Sequence, residues 1–420
     1  MEPLKFLLFG LIGAVSALAV NRTIAVYHDG LRTSMLELTS GQKSRKDLTR
    51  YAYSISASFL FAYALPYSLA SGVVMMHMIF LGVDIIGVRI AHPALATLSG
   101  LLYGVMVSAT VDGFLRVLLD LHVDRAPLQS IWEPVAVAVP MVAAVAAGRH
   151  FGTRWGIVAS AGTAVVWVGA YSTLRTIHED SLDAVIASGA IALAITTIVV
   201  VAVAIRAGSA SNTDVTAFAD KISAIQRNWP VLMVASALIA VAASQRWLAG
   251  EPAQTALIAS GHTASAAAVA FVGTIGYAPV IGMTGMVSGV WIQQGIPDWI
   301  LGIGYLAHNP IIAAVGGALA LAIEMALLKP LCNFLVRNPS MSLLGNAFRE
   351  AFDIVPTYAI LAGAVTAAAQ LASAAGVCTV IAAFAFNETK GRPLSPLGVP
   401  IIVVVGICVL RGLSQQAGFV

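Results

Sequence analysis

The chain is 420 residues long, 59% hydrophobic and only 10% charged, with a formal net charge of +3. Soluble domains carry about 25% charged residues. This composition, with a mean hydropathy of +0.87, cannot build a soluble surface and reads as a polytopic membrane protein.

A spanning helix needs about 20 apolar residues. The first stretch, MEPLKFLLFGLIGAVSALAV, has one Glu and one Lys ahead of its apolar run and no clear cleavage site, so it reads as a spanning helix rather than a signal peptide. Apolar segments then follow at 51–70, 72–88, 94–112, 132–148, 155–174, 183–205, 229–249, 255–273, 276–296, 310–330, 353–375, 377–388 and 396–415. Several are short or rich in Gly and Pro. The expected fold is an all-α transmembrane bundle of about 10–13 complete spans, with broken or re-entrant helices. The polar stretch 206–228 separates an N-terminal transmembrane half, 1–205, from a C-terminal half, 229–420, and a surface helix is expected over 214–225. The loops 21–50, 148–154, 206–228 and 329–352 carry the basic residues. Counting every segment as a span puts all four on one side, which the excess of Lys and Arg on cytoplasmic loops makes cytoplasmic.

The three cysteines, Cys332, Cys378 and Cys408, lie in apolar or interfacial stretches without CxxC spacing and read as buried thiols. The chain has no phosphate-binding GxxxxGK[ST] loop, no HExxH, no GxSxG and no dinucleotide fingerprint. No cofactor is expected beyond a coupling Na+ or H+, and nothing points to nucleic acid.

An internal repeat is expected between the two ends. Phe80-Leu-Gly-Val-Asp84-Ile-Ile-Gly87 and Phe384-Ala-Phe-Asn-Glu388-Thr-Lys-Gly391 share the spacing F-x3-[DE]-x2-G, each followed by a basic residue, Arg89 and Arg392. Gly13-Ala14 and Gly317-Ala318 stand at the same offset. Binding sites in repeat-built transporters lie where broken helices meet.

Within these segments the ionisable residues are the candidates for chemistry, because a charge in lipid is costly and is retained for a purpose. The strongest are Glu388 with Asn387, where an apolar segment runs into NETKGRP, and Asp84 is next. Such carboxylates suit a proton or a hard cation, and Arg392 suits an anionic group. The alternative is a Glu388–Arg392 pair that only holds the break. Glu324 sits late in 310–330, and Asp112 reads as interfacial. His28-Asp29-Gly30 forms either a titratable pair or a capping turn. The small-residue region 261–285, with His262, reads as close helix packing or as an unwound helix whose amides bind substrate, and Asn309-Pro310 opens another such helix terminus.

The stretches AVYHDGLR (25–32), FLGVDIIGV (80–88), NPIIAAVGGA (309–318) and FNETKGRP (386–393) together resemble the YhfT family of bacterial inner-membrane proteins, over nearly the whole chain. The resemblance implies a multi-pass inner-membrane protein. Members are typically encoded beside pyridoxal-phosphate enzymes and a phosphotriesterase-like hydrolase, which implies transport of a small amino- or phosphate-bearing metabolite. The reading reached from the sequence is a proton- or sodium-coupled secondary transporter, not an enzyme, working in the lipid bilayer and expected by analogy to be a homodimer. The alternatives are a membrane enzyme acting on a lipid-linked substrate through His28 and Asp29, or a scaffold or channel subunit.

Overall fold

In the computed structural model, residues 3–57, 59–122, 126–176, 181–208, 218–292 and 296–417 are described. The fold is an all-α bundle, with four two-residue strand segments among the described residues. Among the described residues eight helical stretches are long and apolar enough to cross a membrane, one of them the joined run Ala126–Phe151.

The chain begins with α1 (Pro3–Asn21), β1 (Ala25–Val26), α2 (Arg32–Thr39) and α3 (Arg45–Ala52). Two wide π-helical turns, Tyr53–Ala57 and Leu60–Ala64, lead into α4 (Leu65–Ser71), then β2 (Val74–Met75), α5 (Met76–Arg89) and α6 (Pro93–Asp120). Next come α7 (Ala126–Gln129), α8 (Glu133–Ala138), α9 (Val142–Phe151), α10 (Thr153–Leu174), α11 (Ser181–Ala207) and α12 (Ala219–Arg227). The expected surface helix over 214–225 is α12; residues 209–217 lie outside the described residues. The later part is α13 (Trp229–Ser244), β3 (Leu248–Ala249), α14 (Pro252–Ala259), α15 (Thr263–Ser288), β4 (Trp291–Ile292), α16 (Ile296–Leu306), α17 (Pro310–Arg337), α18 (Pro339–Thr389) and α19 (Gly398–Gln416). The segments expected at 255–273 and 276–296 are thus cut differently. Gly261 at φ +88° ends α14, one helix then runs unbroken to Ser288, and Gly289 at φ +70° ends that.

α18 is broken. Ala372 and Ser373 leave helical geometry, with Ser373 at φ +51°. Gly376 packs so closely on Ala368 that a Cβ would overlap the Ala368 carbonyl. A straight helix would hold those residues about 12 Å apart, so the chain folds back into a hairpin.

An internal repeat is present, but in a different register from the one the sequence suggested. The unit α1–β1–…–β2–α5–α6 recurs as α13–β3–…–β4–α16–α17. Thr23 and Arg246, each just past its first helix, sit at φ +55° and +58°. Ile24 donates its amide to Ala19 O at 2.8 Å, as Trp247 does to Ala242 O at 3.0 Å. Ser71-Gly72-Val73 matches Ser288-Gly289-Val290 in sequence. In both the Ser hydroxyl accepts the Val amide, at 3.1 and 3.2 Å, and the glycine is left-handed. Gly87 packs on Ala17 and Val20 as Gly304 packs on Ala240 and Ala243. Gly100 packs on Gly13 and Ala17 as Gly317 packs on Ser236 and Ala240. These contacts need small residues because the backbones all but touch. Gly13 and Gly317 therefore occupy different places in their units, and Phe80–Gly87 is no counterpart of Phe384–Gly391.

The two units also interlock. β1 pairs parallel with β4, and β2 with β3. The Trp291 amide donates to Ile24 O at 2.9 Å, and its counterpart Val74 donates to Trp247 O at 2.9 Å. Exchanging the units maps each pair onto the other, which is the mark of a pseudo-two-fold axis. The end of α1 (Arg22, Thr23) meets the start of α13 (Asn228) and the end of α15 (Ser288, Gly289) around one small cavity. The first helices of the two units therefore run antiparallel.

Candidate functional site

The extended segments cross at the centre of the paired units, and each half places a carboxylate there from its broken second helix. In the first half this is Asp84. It is fully buried, and it accepts the amides of Tyr27 at 3.0 and 3.2 Å and of His28 at 2.6 Å. The chain can offer those amides because it has left helical geometry after Asn21, whose side chain donates to Ile90 O at 2.6 Å and ties the turn to the end of α5. Asp84 closes that turn onto its half-helix. His28 is half-buried; its Nδ1 accepts the Gly30 amide at 2.9 Å, and its ring lies edge-on to Phe59, 6.2 Å away. Asp29 begins a short 3-10 turn; its side chain lies outside the described residues.

In the second half the carboxylate is Asp298, which the sequence reading did not select. It is also fully buried. Oδ1 accepts the Gln254 side-chain amide at 2.9 Å, whereas Oδ2 has no hydrogen-bond partner among the described residues. Tyr305 donates to Gln254 Oε1 at 3.2 Å and reaches Leu248 O at 3.4 Å. Glu251, at the head of α14, accepts the Tyr63 hydroxyl at 3.2 Å. The sequence cue to this half was the recurrence of SGV at 71–73 and 288–290, with Gly87 and Pro93 echoed by Gly304 and Pro310.

An aromatic run leads outward from here along the helix that holds the π turns. Phe59 lies 4.5 Å from Tyr63 and 5.7 Å from His77, and Tyr63 lies 5.3 Å from Tyr67. Wide turns of this kind push side chains out of helical register and recur at functional sites. Phe59 then borders a cavity of about 470 Å³ lined also by Asp353, Thr357, Tyr358, Phe384, Glu388 and Arg392.

Glu388 and Arg392 thus line the cavity. Arg392 donates to Glu388 Oε2 at 2.9 Å, while Glu388 Oε1 is buried without a partner among the described residues. Asn387 pins the loop between them, donating to Leu394 O and accepting the Leu394 amide, both at 3.0 Å. The loop turns through Gly391 at φ +77° and Arg392 at φ +60°.

The other candidates are scattered. Glu324 accepts the Trp299 indole N–H at 3.2 Å. Asn309 caps α17, accepting the amides of Ile311 and Ile312 at 2.7 and 3.0 Å. His262 Nδ1 lies 3.4 Å from Asp183, in a separate cavity with Trp132 and Glu133. Arg89 is exposed at the end of α5. Asp112 pairs with Lys5 at 2.6 Å. The side chains of 277–284, within the small-residue region, lie outside the described residues.

A family model named YhfT, described as a protein of unknown function, matches residues 5–418. The chain is 24% identical over 433 aligned residues to the Escherichia coli (strain K12) protein called "Uncharacterized protein YhfT", covering 99% of this chain and 98% of that one. No solved structure matches. The chain belongs to the YhfT family.

Proposed function

We propose that this YhfT-family chain is a secondary transporter for a small polar metabolite, amino- or phosphate-bearing, coupled to H+ or Na+. It would work in the bacterial inner membrane with its basic loops on the cytoplasmic side. The observation that carries the reading is the pair of antiparallel units whose broken helices cross at buried carboxylates. Irregular backbone at membrane depth is tolerated where protein or a water-filled cavity surrounds it. Inverted repeats with discontinuous helices place substrate and ion sites at their interface. The cavity that Phe59 borders holds both charge signs: Arg392 for an anionic group, Asp353 and Glu388 for an amino group or a coupling ion.

The test is gradient-driven uptake into proteoliposomes. Glu388→Gln is expected to abolish coupled uptake while leaving folded protein in the membrane. Unchanged uptake in that variant would remove Glu388 from the mechanism. Absence of any gradient-driven uptake by the wild type, across amino acids, phosphonates, phospho-sugars and carboxylates, would remove the transporter reading.

A further inference from the structure

Asp84 and Asp298 lie one helical turn apart in the register of the repeat, and each reaches from a broken second helix toward the segment that follows its unit's first helix. Their hydrogen bonding differs. Asp84 has an amide on each oxygen, from Tyr27 and His28. Among the described residues Asp298 has the Gln254 amide on Oδ1 and no donor on its other oxygen, although it is 0% exposed. A buried ionised carboxylate needs a partner or must be neutralised. An orphaned buried oxygen in a native fold marks strain, a functional group or a missing ion.

The surroundings are shaped to leave this oxygen free. Gly273 on α15 faces it, and a Cβ there would stand 3.1 Å from Oδ2. On the Oδ1 side, a Cβ on Gly250 would stand 2.6 Å away. Glycine at both places keeps side chains off the carboxylate. The titratable groups facing Asp298 are Glu251 and, on its own helix, Tyr305. Glu324 on α17 is turned to Trp299, and α13 meets the helix through Ala240 and Ala243. Asp353 interacts with both Glu251 and Arg349, and Arg349 packs on Gly276, one turn along α15 from Gly273.

We propose that Asp298 is a binding site for one small monovalent cation, H+ or Na+, which neutralises the carboxylate at Oδ2. Gln254 orients the acid by donating to Oδ1, and Tyr305 in turn holds Gln254. In a transporter this would be the coupling ion, and in that respect only the proposal rests on the function proposed above. Binding itself needs no substrate.

The test uses the full chain purified in detergent, without substrate. Thermal stability is measured as sodium chloride replaces choline chloride, and infrared difference spectra are recorded between acid and alkaline pH. A sodium site gives a melting temperature that rises with sodium in the wild type. It gives no rise in Asp298→Asn, and Gly273→Ala needs more sodium for the same shift. A proton site gives no sodium response. It gives instead a protonated-carboxyl stretch that is absent from Asp298→Asn and displaced in Gly273→Ala. A folded Asp298→Asn that keeps the wild-type sodium response or the full carboxyl band overturns the proposal. If Asp298→Asn fails to fold, the wild type and Gly273→Ala decide: a wild type with neither response, or a Gly273→Ala that matches it in both, overturns it. Missing uptake with an intact cation response would defeat the transporter reading and leave this site standing.

Discussion

At the residue scale, burial separates two kinds of carboxylate that look alike in sequence. Asp84 joins distant segments through the amides of Tyr27 and His28. Replacing it with Leu leaves those buried donors unmatched, at a cost of about 2–3 kcal/mol, which denaturation in detergent would measure against the wild type. Glu388 is different. Its partner Arg392 is 62% exposed, and exposed pairs of this kind contribute about 0.2–1 kcal/mol. Glu388→Gln should therefore melt close to the wild type, which makes its loss of uptake interpretable. Legibility followed visibility. Glu388 and Arg392 stand out because charge interrupts an apolar run. Asp84 stands out for the same reason; it is buried and accepts two backbone amides. Asp298 falls just past the apolar segment 276–296, so no apolar run frames it and nothing in the sequence singles it out. Only the packing of α16 puts it inside.

At the element scale, glycine sets how closely the helices approach. A Cβ on Gly100 would overlap the carbonyl of Gly13, and one on Gly317 would come within 2.7 Å of the Ser236 carbonyl. Alanine at either place should destabilise by about 1–3 kcal/mol through overpacking. Gly113 lies on the same helix as Gly100 but faces open space. Gly113→Ala should be neutral or stabilise by up to about 1 kcal/mol, since alanine is the better helix former. Thermal melting of the three variants checks both signs. The sequence located these helices well, because a stretch of about 20 apolar residues is hard to miss. It located the breaks poorly. A two-residue strand has no periodicity of its own, and a left-handed glycine inside an apolar run resembles one packed against a neighbouring helix.

At the scale of the whole molecule, the crossing of β1 with β4 and β2 with β3 makes each half incomplete without the other. The repeat was present in the sequence as SGV and as the echoed glycine and proline. The helix faces around them have diverged, and the louder F-x3-[DE]-x2-G match drew the eye to another register. Cross-linking tests the strand crossing. In a chain freed of Cys332, Cys378 and Cys408, cysteines at Ala25 and Trp291, or at Val74 and Leu248, occupy paired strand positions. Neighbouring strands lie about 4.8 Å apart, within disulfide reach, so each pair should close under mild oxidation, with a mobility shift on gels.

The measurement that bears most directly on function is the thermal stability of the purified wild type against amino acids, phosphonates, phospho-sugars and carboxylates, each with and without sodium and at two pH values. A ligand that binds only the folded state adds about 2.7 kcal/mol at 100 times its Kd. The account predicts a hit whose size depends on sodium or pH and which disappears in Glu388→Gln. A flat panel from well-folded protein would contradict it.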